Sequence, residues 1–489
     1  MGFEQQIAEL EATLRRGEGV RAVEMARRLA AAAPDDRAIA RLLALAHSAA
    51  GQWAEALVEW ERLPPDPAVL VNRAAALGRL DRLEEAVETL DRAIALAPRL
   101  AVAHFNRGNL LGRLGRFDAA LDAYGRALRL APDDLDVLGN RGNLLSRLGR
   151  DGAALDDYAR ALALRPDHAP TRLAMAFCRL RQGDFAQGWA DYEWRLPERV
   201  RADPRRWRGE PSVAGRTILL HAEQGFGDSI QFLRYVPLVA ALGARVVLVV
   251  PPALAALAAT LRPAVPVIAR GRPLPPFDLH SPLGSLPAAF GTRPATVPAA
   301  VPYLRVPPDR ALAWRARLET LLPTAGGPRV GIAWAGNPAN PIDRDRSMPL
   351  AELRPLVAAG LRLVSLQKAP GPAEAAMLDR AGIPSLGPEL GDFLDTAAAI
   401  EGLDLTVSVE TGVAHLAGAL GRPVWIALSH AADWRWLAGR PDSPWYPTAR
   451  LFRQDHFGDW PGVVRRMAAA ASAGVSLGAP RAAGGRSRD

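Results

Sequence analysis

The sequence contains one cysteine and one lysine, and it has no long apolar run. Because Cys178 stands alone, the chain is not a disulfide scaffold, and a cytoplasmic location is indicated. No stretch of about eighteen or more uncharged apolar residues occurs, so we predict no transmembrane segment, while peripheral membrane contact stays open. The opening residues, MGFEQQIAELEATLRR, are amphipathic with early acids, and we expect no signal peptide.

The positive charge is almost entirely arginine, since Lys368 is the only lysine in a chain of formal charge +8. The arginines are scattered along predicted helix faces and do not cluster in a basic arm. This distribution predicts solvated helix faces and not a nucleic-acid partner. Single arginines in a binding site remain suited to phosphate.

A period of 34 residues dominates the first two-fifths of the chain. Six positions recur at this spacing: Gly108, Gly115, Ala120, Tyr124, Ala127 and Pro132 return as Gly142, Gly149, Ala154, Tyr158, Ala161 and Pro166. Small residues at such positions let two antiparallel helices approach, and the proline ends the second helix. The period is that of the tetratricopeptide repeat, which forms helical solenoids that bind protein partners.

The repeat extends in both directions from these two copies. Earlier copies are predicted at 3–36, 37–66 and 67–100, and GDFAQGWADYEWR continues the pattern after residue 181 without a closing proline. We therefore predict five repeats and a partial sixth that serves as a cap and a joint. More than three stacked repeats are enough to bury a continuous core.

After about residue 200 the pattern changes to alternating strands and helices. Strands are predicted at TILLH, RVVLVV, VPVIA and FDLHS, and in a second half at PRVGIAWAG, LRLVSLQ, LDLTVSV and PVWIAL. Such alternation predicts mostly parallel sheets with helices on both sides, and two such halves form a ligand cleft. The predicted domains are a solenoid at 1–200, a connector at 201–215, α/β halves at 216–308 and 309–470, and a disordered tail at 471–489.

The glycine loop HAEQGFGDSIQF carries the candidate chemistry of the first half. Gly225 and Gly227 suit a tight turn and a close backbone approach to a ligand. Asp228 is either the N-cap of the following helix or a carboxylate that takes a proton from an acceptor hydroxyl. His221 and Glu223 are the alternative bases.

In the second half, the segment SVETGVAHLAGALGRPVW predicts a strand, a turn and a helix. Thr411 and Gly412 stand at the helix N-terminus, where free amides and the helix dipole favour an anion. A simple capped helix explains the same residues equally well. Glu410 is a candidate for ribose hydroxyls, and His415, one turn later, either points to the same site or packs.

These motifs resemble those of a bacterial family of tetratricopeptide-repeat glycosyltransferases. The segments that carry the resemblance, over residues 35–470, are the repeat array, HAEQGFGDSIQFLRY, GIAWAGNP with DRDRS, SVETGVAHLAGALG, and DWRWLAGRPDSPWYPTARLFRQ. The catalytic region is similar to the lipopolysaccharide heptosyltransferases, whose GT-B fold has two Rossmann-like halves. The O-linked N-acetylglucosamine transferases likewise combine such repeats with a GT-B enzyme.

The resemblance implies roles for particular residues. It implies that Asp228 is the general base of an inverting transfer, and that Thr411, Gly412 and His415 belong to the donor-diphosphate motif. Glu410 stands where the heptosyltransferases commonly have aspartate. In place of their loop lysine this chain has Arg344 and Arg346, and Asn337 is either a donor or acceptor contact or a turn residue before Pro338.

The sequence predicts no metal site and no cofactor beyond a nucleotide-sugar substrate. Asp343 and Asp345 form an acidic pair, but Arg344 and Arg346 interleave them and oppose a bound cation. The aromatic segment from Trp434 to Phe452 is either a sugar platform or a packed latch across both halves.

Together these features predict a cytoplasmic glycosyltransferase that moves a sugar to a protein or surface-glycan acceptor recruited by the repeats. Two alternatives stay open: an inactive GT-B-like scaffold that binds proteins, which Glu410 and the absent loop lysine favour, and an epimerase of the same shape. The donor sugar, the nucleotide, the acceptor and the oligomeric state are not determined by the sequence.

Overall fold

The computed structural model describes residues 2–323, 326–339 and 343–473. The chain divides into two compact units. Residues up to 146 and residues 150–167 form the first, and residues 147–149 with those from 168 onward form the second. The tail predicted to be disordered lies outside the described residues from position 474.

Antiparallel helix pairs build the first unit. The helices are α1 (Phe3–Arg15), α2 (Gly19–Ala32), α3 (Arg37–Ala49), α4 (Trp53–Arg62), α5 (Pro67–Arg79), α6 (Leu83–Leu96), α7 (Ala101–Arg113), α8 (Phe117–Leu130), α9 (Leu135–Arg147) and α10 (Asp151–Leu164). The turn from α7 to α8 contains Gly115 in the left-handed region, with φ of 73°. Asp81 takes the equivalent place 34 residues earlier with φ of 63°, a conformation that aspartate tolerates better than most residues.

The glycine and tyrosine of the repeat pack on each other within one helix pair. A methyl group at Gly108 would lie 2.7 Å from Cδ1 of Tyr124, so a side chain there would collide with the ring. The Tyr124 hydroxyl donates to Oδ1 of Asn109 at 2.7 Å. Tyr158 covers Gly142 in the same way. The spacing of glycine and tyrosine in the sequence is therefore the spacing of a contact between the two helices.

The second unit begins with one more helix pair and continues as an α/β region. Its helices are α11 (Ala169–Arg181), α12 (Phe185–Tyr192), α13 (Glu198–Arg201), α14 (Phe226–Phe232), α15 (Val236–Ala241), α16 (Pro252–Ala258), α17 (Leu286–Ala289), α18 (Pro308–Leu321), α19 (Asp343–Arg346), α20 (Arg354–Ala358), α21 (Pro372–Arg380), α22 (Phe393–Glu401), α23 (Gly412–Ala419) and α24 (Trp460–Ser472). Short 3-10 turns span Glu193–Arg195, Leu233–Tyr235, Leu283–Ser285, Pro294–Thr296, Leu350–Leu353 and Trp434–Trp436.

Two parallel sheets form the centre of the α/β region. The strands are β1 (Thr217–His221), β2 (Arg245–Val250), β3 (Val267–Ala269), β4 (Leu279–Pro282), β5 (Arg329–Ala333), β6 (Arg362–Ser365), β7 (Leu405–Ser408), β8 (Val424–Leu428) and β9 (Ala449–Arg453). The strand order is β3-β2-β1-β4 in the first sheet and β6-β5-β7-β8-β9 in the second. All of these pairings are parallel. Every segment predicted as a strand overlaps one, and β9 was not predicted.

In each sheet the chain adds strands first on one side of the starting strand and then on the other side. This reversal of strand order falls between β1 and β4 in the first sheet and between β5 and β7 in the second. At such a reversal a crevice opens beyond the carboxyl ends of the strands, and ligands of open α/β sheets bind there. The loops after β1 and β7, which carry the candidate residues, therefore lie at these crevices.

The aromatic segment after β8 is packed and offers no open platform. Trp434, Trp436, Trp445 and Tyr446 are at most 1% exposed. Trp189 of α12 packs edge to face on Trp434 with ring centroids 5.2 Å apart. Of the two interpretations of this segment, the structure favours the latch, since buried rings cannot stack on a ligand.

Over the described ranges, no helix combines the length and the apolar character that a membrane crossing requires.

Candidate functional site

The N-termini of α14 and α23 meet at the centre of the candidate site. A methyl group at Gly227 would lie 2.8 Å from Cδ2 of His415 and 3.6 Å from Cα of Gly412. These distances leave no room for a side chain at residue 227. The glycine is required for contact between the two segments, a role that the loop sequence alone did not suggest.

Asp228 has both carboxylate oxygens engaged within the protein. Oδ2 accepts the backbone N–H of Gly225, the N-cap residue of α14, at 3.0 Å. Oδ1 accepts a hydrogen bond from Nη2 of Arg435. About a quarter of the side chain, 27%, is still exposed. The predicted N-cap role of Asp228 is wrong, because Gly225 is the N-cap and Asp228 is the third residue of α14. The carboxylate of Asp228 accepts the N–H of that N-cap residue and keeps an open side.

Arg435 is the residue that sequence reasoning undervalued. Its side chain is buried, and Nε donates to Oε1 of Gln231 at 2.6 Å while Nη1 donates to Oδ1 of Asp433 at 2.8 Å. The guanidinium also lies over the ring of Trp434, 4.2 Å from its centroid. A buried arginine needs nearby acids, and the adjacent Asp433 was the one signal of this network in the sequence.

Glu410 is buried and points toward the loop after β8. Oε1 accepts the N–H of Asp433 at 2.8 Å, and Oε2 accepts from the hydroxyl of Ser429 at 3.4 Å. Burial, together with the Asp433 carboxylate, raises the pKa of Glu410 to about 7. Both oxygens therefore hold the protein's own loop, and the ribose contact stays a prediction.

Thr411 caps α23, as the sequence predicted. Its hydroxyl oxygen accepts the N–H of Val413 at 3.2 Å and lies 2.8 Å from Oγ of Ser408. Thr411, Gly412 and Val413 are half-buried, so the first turn of α23 is reachable from outside. The geometry fits both an anion site and a simple capped helix.

His415 packs in the wall behind this turn. Its ring is stacked on Trp436 at a centroid distance of 5.2 Å, and Nδ1 lies 2.9 Å from the Tyr446 hydroxyl. Burial, and then the charge of Arg435, holds the pKa of His415 well below its usual range. The imidazole is accordingly neutral, and of its two predicted roles the packing role is the one observed.

Arg346 and Arg344 occupy different environments. Nε of Arg346 donates to Oδ1 of Asp343 at 2.9 Å, and its charge acts on the pKa values of both Glu410 and His415. Arg344 is exposed. Arg346 is therefore the cation of this loop whose charge reaches Glu410 and His415.

The candidate Asn337 and the single lysine, Lys368, both have local partners. Asn337 is exposed, and its Oδ1 accepts the N–H of Ala339 at 3.1 Å, which is a turn contact. Lys368 donates to the backbone carbonyl oxygen of Leu390. Among the residues that the structure describes, no group of three or more His, Cys, Asp or Glu side chains is placed to hold a metal ion.

The alternative bases at the end of β1 also have close partners. Oε1 of Glu223 accepts from Nη2 of Arg195 at 2.7 Å and from the N–H of Gly284 at 3.2 Å. Nε2 of His221 lies 3.3 Å from Nδ1 of His280, and burial lowers the pKa of His221 to about 4. Glu223 is thus held by a salt bridge, and His221 is neutral near pH 7.

Models of the tetratricopeptide repeat match residues 67–100, 101–134 and 135–168. These bounds confirm three of the predicted copies. The chain is also 30% identical over 332 residues to Protein FlbA of Caulobacter vibrioides. That alignment covers 62% of this chain and 55% of FlbA, so the chain spans about half the length of this curated relative.

Several solved repeat structures resemble part of the chain. A tetratricopeptide repeat protein from Parabacteroides merdae has 19% identity and a TM-score of 0.34, covering 39% of this chain and 77% of that protein. YrrB, described as a TPR protein with an unusual peptide-binding site, has 18% identity and a TM-score of 0.29, covering 35% of this chain and 96% of YrrB.

Proposed function

We propose that this protein is a glycosyltransferase of the GT-B type, inverting and metal-independent. It moves a sugar from a nucleotide-sugar donor to a protein or surface-glycan acceptor recruited by the repeats. The observation that carries the proposal is the contact between Gly227 and the His415–Gly412 turn, which brings a carboxylate and a helix N-terminus to one place. The two α/β halves are then Rossmann-like domains, the first facing the acceptor and the second the donor.

The donor diphosphate binds at the first turn of α23. The N–H of Gly412 donates to a phosphate oxygen, and the helix dipole favours the negative charge of the diphosphate. The hydroxyl proton of Thr411 and the N–H of Val413 have partners within the protein, so Thr411 holds the shape of the turn. Arg346 supplies a cation from the neighbouring loop. Together these groups neutralise the leaving diphosphate as the bond to the sugar breaks, so the reaction needs no bound metal. Glu410, the residue before this turn, accepts hydrogen bonds from Ser429 and Asp433 and so holds the loop after β8.

Asp228 acts as the general base. The acceptor hydroxyl oxygen attacks the anomeric carbon, the carbon–oxygen bond to the diphosphate breaks, and the hydroxyl proton passes to the Asp228 carboxylate. A carboxylate has about four acceptor positions, and the bonds from Gly225 and Arg435 use two of them. The exposed quarter of the side chain is where the acceptor approaches.

The repeats support an interaction with protein partners, since repeat arrays of this kind present extended binding surfaces. The absence of a nucleic-acid partner and the cytoplasmic location stay predictions from the sequence. A second candidate function is an inactive scaffold that works through the repeats. The internal hydrogen bonds of Asp228 and Glu410 favour it, because both side chains already have structural roles.

A ligand screen on a glycine variant separates the two functions. In Gly412→Ala the new methyl group would lie 3.4 Å from Cε1 of Phe393, which is an ordinary contact, so the fold is kept while the approach to the backbone is blocked. We expect a nucleotide sugar to raise the melting temperature of the wild type and not that of this variant. A ligand at about 100 times its Kd adds about 2.7 kcal/mol of stability.

Gly139→Ala in α9 is the matched control, since nothing lies within 4 Å of the added methyl group. It should keep the full ligand-induced shift. A wild-type protein that responds to no nucleotide or nucleotide sugar favours the scaffold.

A further inference from the structure

An aromatic pair joins the two halves of the candidate site. Phe226, the first residue of α14, lies with its ring centroid 4.9 Å from that of Phe393, the first residue of α22, and the planes are inclined by 54°. Phe226 is 44% exposed, and Phe393 is half-buried. A single exposed phenylalanine is common on protein surfaces, but here two rings from different halves meet beside the proposed diphosphate turn.

The backbone holds Phe226 in this exposed position. Phe226 is flanked in the chain by Gly225, whose N–H binds Asp228, and by Gly227, where an added methyl group would lie 2.8 Å from Cδ2 of His415. Neither neighbour can move without breaking a contact of the site. One side of the ring meets Phe393, and part of Phe226 stays exposed.

We propose that Phe226 and Phe393 form the contact surface for the sugar that is transferred. The inference rests on the proposed function and names the part of the donor that these rings touch. Phe393 lies at one end, where its Cε1 is 3.4 Å from the position of a methyl group on Gly412. Asp228 lies at the other end, where its Oδ2 accepts the N–H of Gly225, the residue before Phe226, at 3.0 Å.

The position between these ends identifies the occupant. In an inverting transfer the leaving diphosphate and the general base lie on opposite sides of the anomeric carbon, so the group between them is the sugar and not the nucleobase. An aromatic face offers a flat apolar surface of large area, and the C–H face of a pyranose ring is the matching surface. The pair therefore favours donors whose sugar presents an apolar face beside the anomeric carbon.

Paired ligands test this assignment. Isothermal titration measures Kd for UDP and UDP-N-acetylglucosamine, GDP and GDP-mannose, and ADP and ADP-glucose, with wild type and with Phe226→Ala. For the pair that the wild type binds, we expect Phe226→Ala to raise the Kd of the nucleotide sugar about tenfold, which corresponds to about 1.4 kcal/mol. The Kd of the nucleoside diphosphate should change by less than about twofold.

Phe3→Ala is the matched control, because Phe3 is also exposed, at 41%, and lies in α1 of the first unit. It should change neither Kd. Phe226→Leu keeps apolar bulk without a flat ring, so its Kd for the nucleotide sugar should lie between that of the wild type and that of Phe226→Ala.

If Phe226→Ala raises both Kd values equally, or changes neither, the sugar contact is overturned while the proposed function stands. A wild-type protein that binds none of the six compounds overturns the proposed function and the sugar contact together.

Discussion

The guanidinium of Arg435 donates a hydrogen bond to the carboxylate of Asp228, although the two residues are 207 positions apart in the sequence. Asp228 belongs to the helix after the first strand of one sheet, and Arg435 follows β8 of the other. The same arginine holds Gln231 and Asp433. One buried cation therefore fixes the position of the proposed base relative to the proposed donor side.

Removing this arginine should destabilise the second unit strongly. Arg435→Ala leaves the acids of a buried pair without their partner, and we expect a loss of roughly 3–5 kcal/mol. Asp228→Ala alone should cost less, and the double variant should cost less than the sum of the two. Urea unfolding followed by tryptophan fluorescence measures these differences, since Trp434 and Trp445 report on the packed segment around Arg435.

Arg317→Ala provides the control for that cycle. Arg317 binds Glu389 through two hydrogen bonds of 2.7 and 2.8 Å, but both side chains are about 40% exposed. Its loss should cost much less stability than the loss of Arg435, because solvent screens an exposed ion pair. A coupling energy between Arg435 and Asp228 no larger than that of the exposed pair would show that the buried contact is not maintained in solution.

Two glycines of α9 should respond in opposite directions to the same substitution. Gly142→Ala would place a methyl group 2.6 Å from Cε1 of Tyr158, and overpacking of this kind costs roughly 1–3 kcal/mol. Gly139→Ala meets nothing within 4 Å and should stabilise the helix by about 0.5–1 kcal/mol. Thermal unfolding by far-ultraviolet circular dichroism compares them. Equal shifts would contradict the packing of tyrosine on glycine within the repeat.

The stability of the second unit should fall as pH rises through neutrality because of Glu410. Its pKa is about 7 in the folded protein, and an unfolded glutamate titrates near 4.3. The folded state therefore binds more protons between these values, and stability decreases with pH. Between about pH 5 and 8 the loss attributable to this group is roughly 2–3 kcal/mol.

Glu410→Gln isolates that contribution, because the amide oxygen still accepts the N–H of Asp433 and carries no charge. Urea unfolding at both pH values should show a steeper decline for the wild type than for the variant. Parallel declines would mean that Glu410 titrates normally in the folded protein.

The repeat array and the strands of the sheets were predictable because their patterns are local. The 34-residue period and the positions of the glycines predict the helix pairs. A parallel strand that is buried on both faces appears in the sequence as a continuous apolar run. Strand β9 escaped prediction for the same reason. Its sequence, ARLFR, includes Arg450 and Arg453, which are half-buried at one edge of the sheet, so no continuous apolar run marks it.

The site was predictable only in part. The cap at Thr411 was predictable because threonine is a preferred N-cap residue, a preference that depends only on neighbouring residues. The partners of Asp228 and Glu410 did not follow, since Arg435 and Asp433 reach them from a loop that no local rule connects with either residue.

The sequence by itself therefore determined the helix pairs, the strands other than β9, the cap at Thr411 and the list of candidate side chains, because each depends on residues a few positions apart. Only the tertiary structure decided which candidates meet. It turned Glu410 and His415 inward, left Arg344 exposed while the charge of Arg346 reaches both of these residues, and placed Phe226 against Phe393. These outcomes depend on contacts between distant segments, and such contacts arise when two sheets and their helices pack, not from the spacing of residues along the chain.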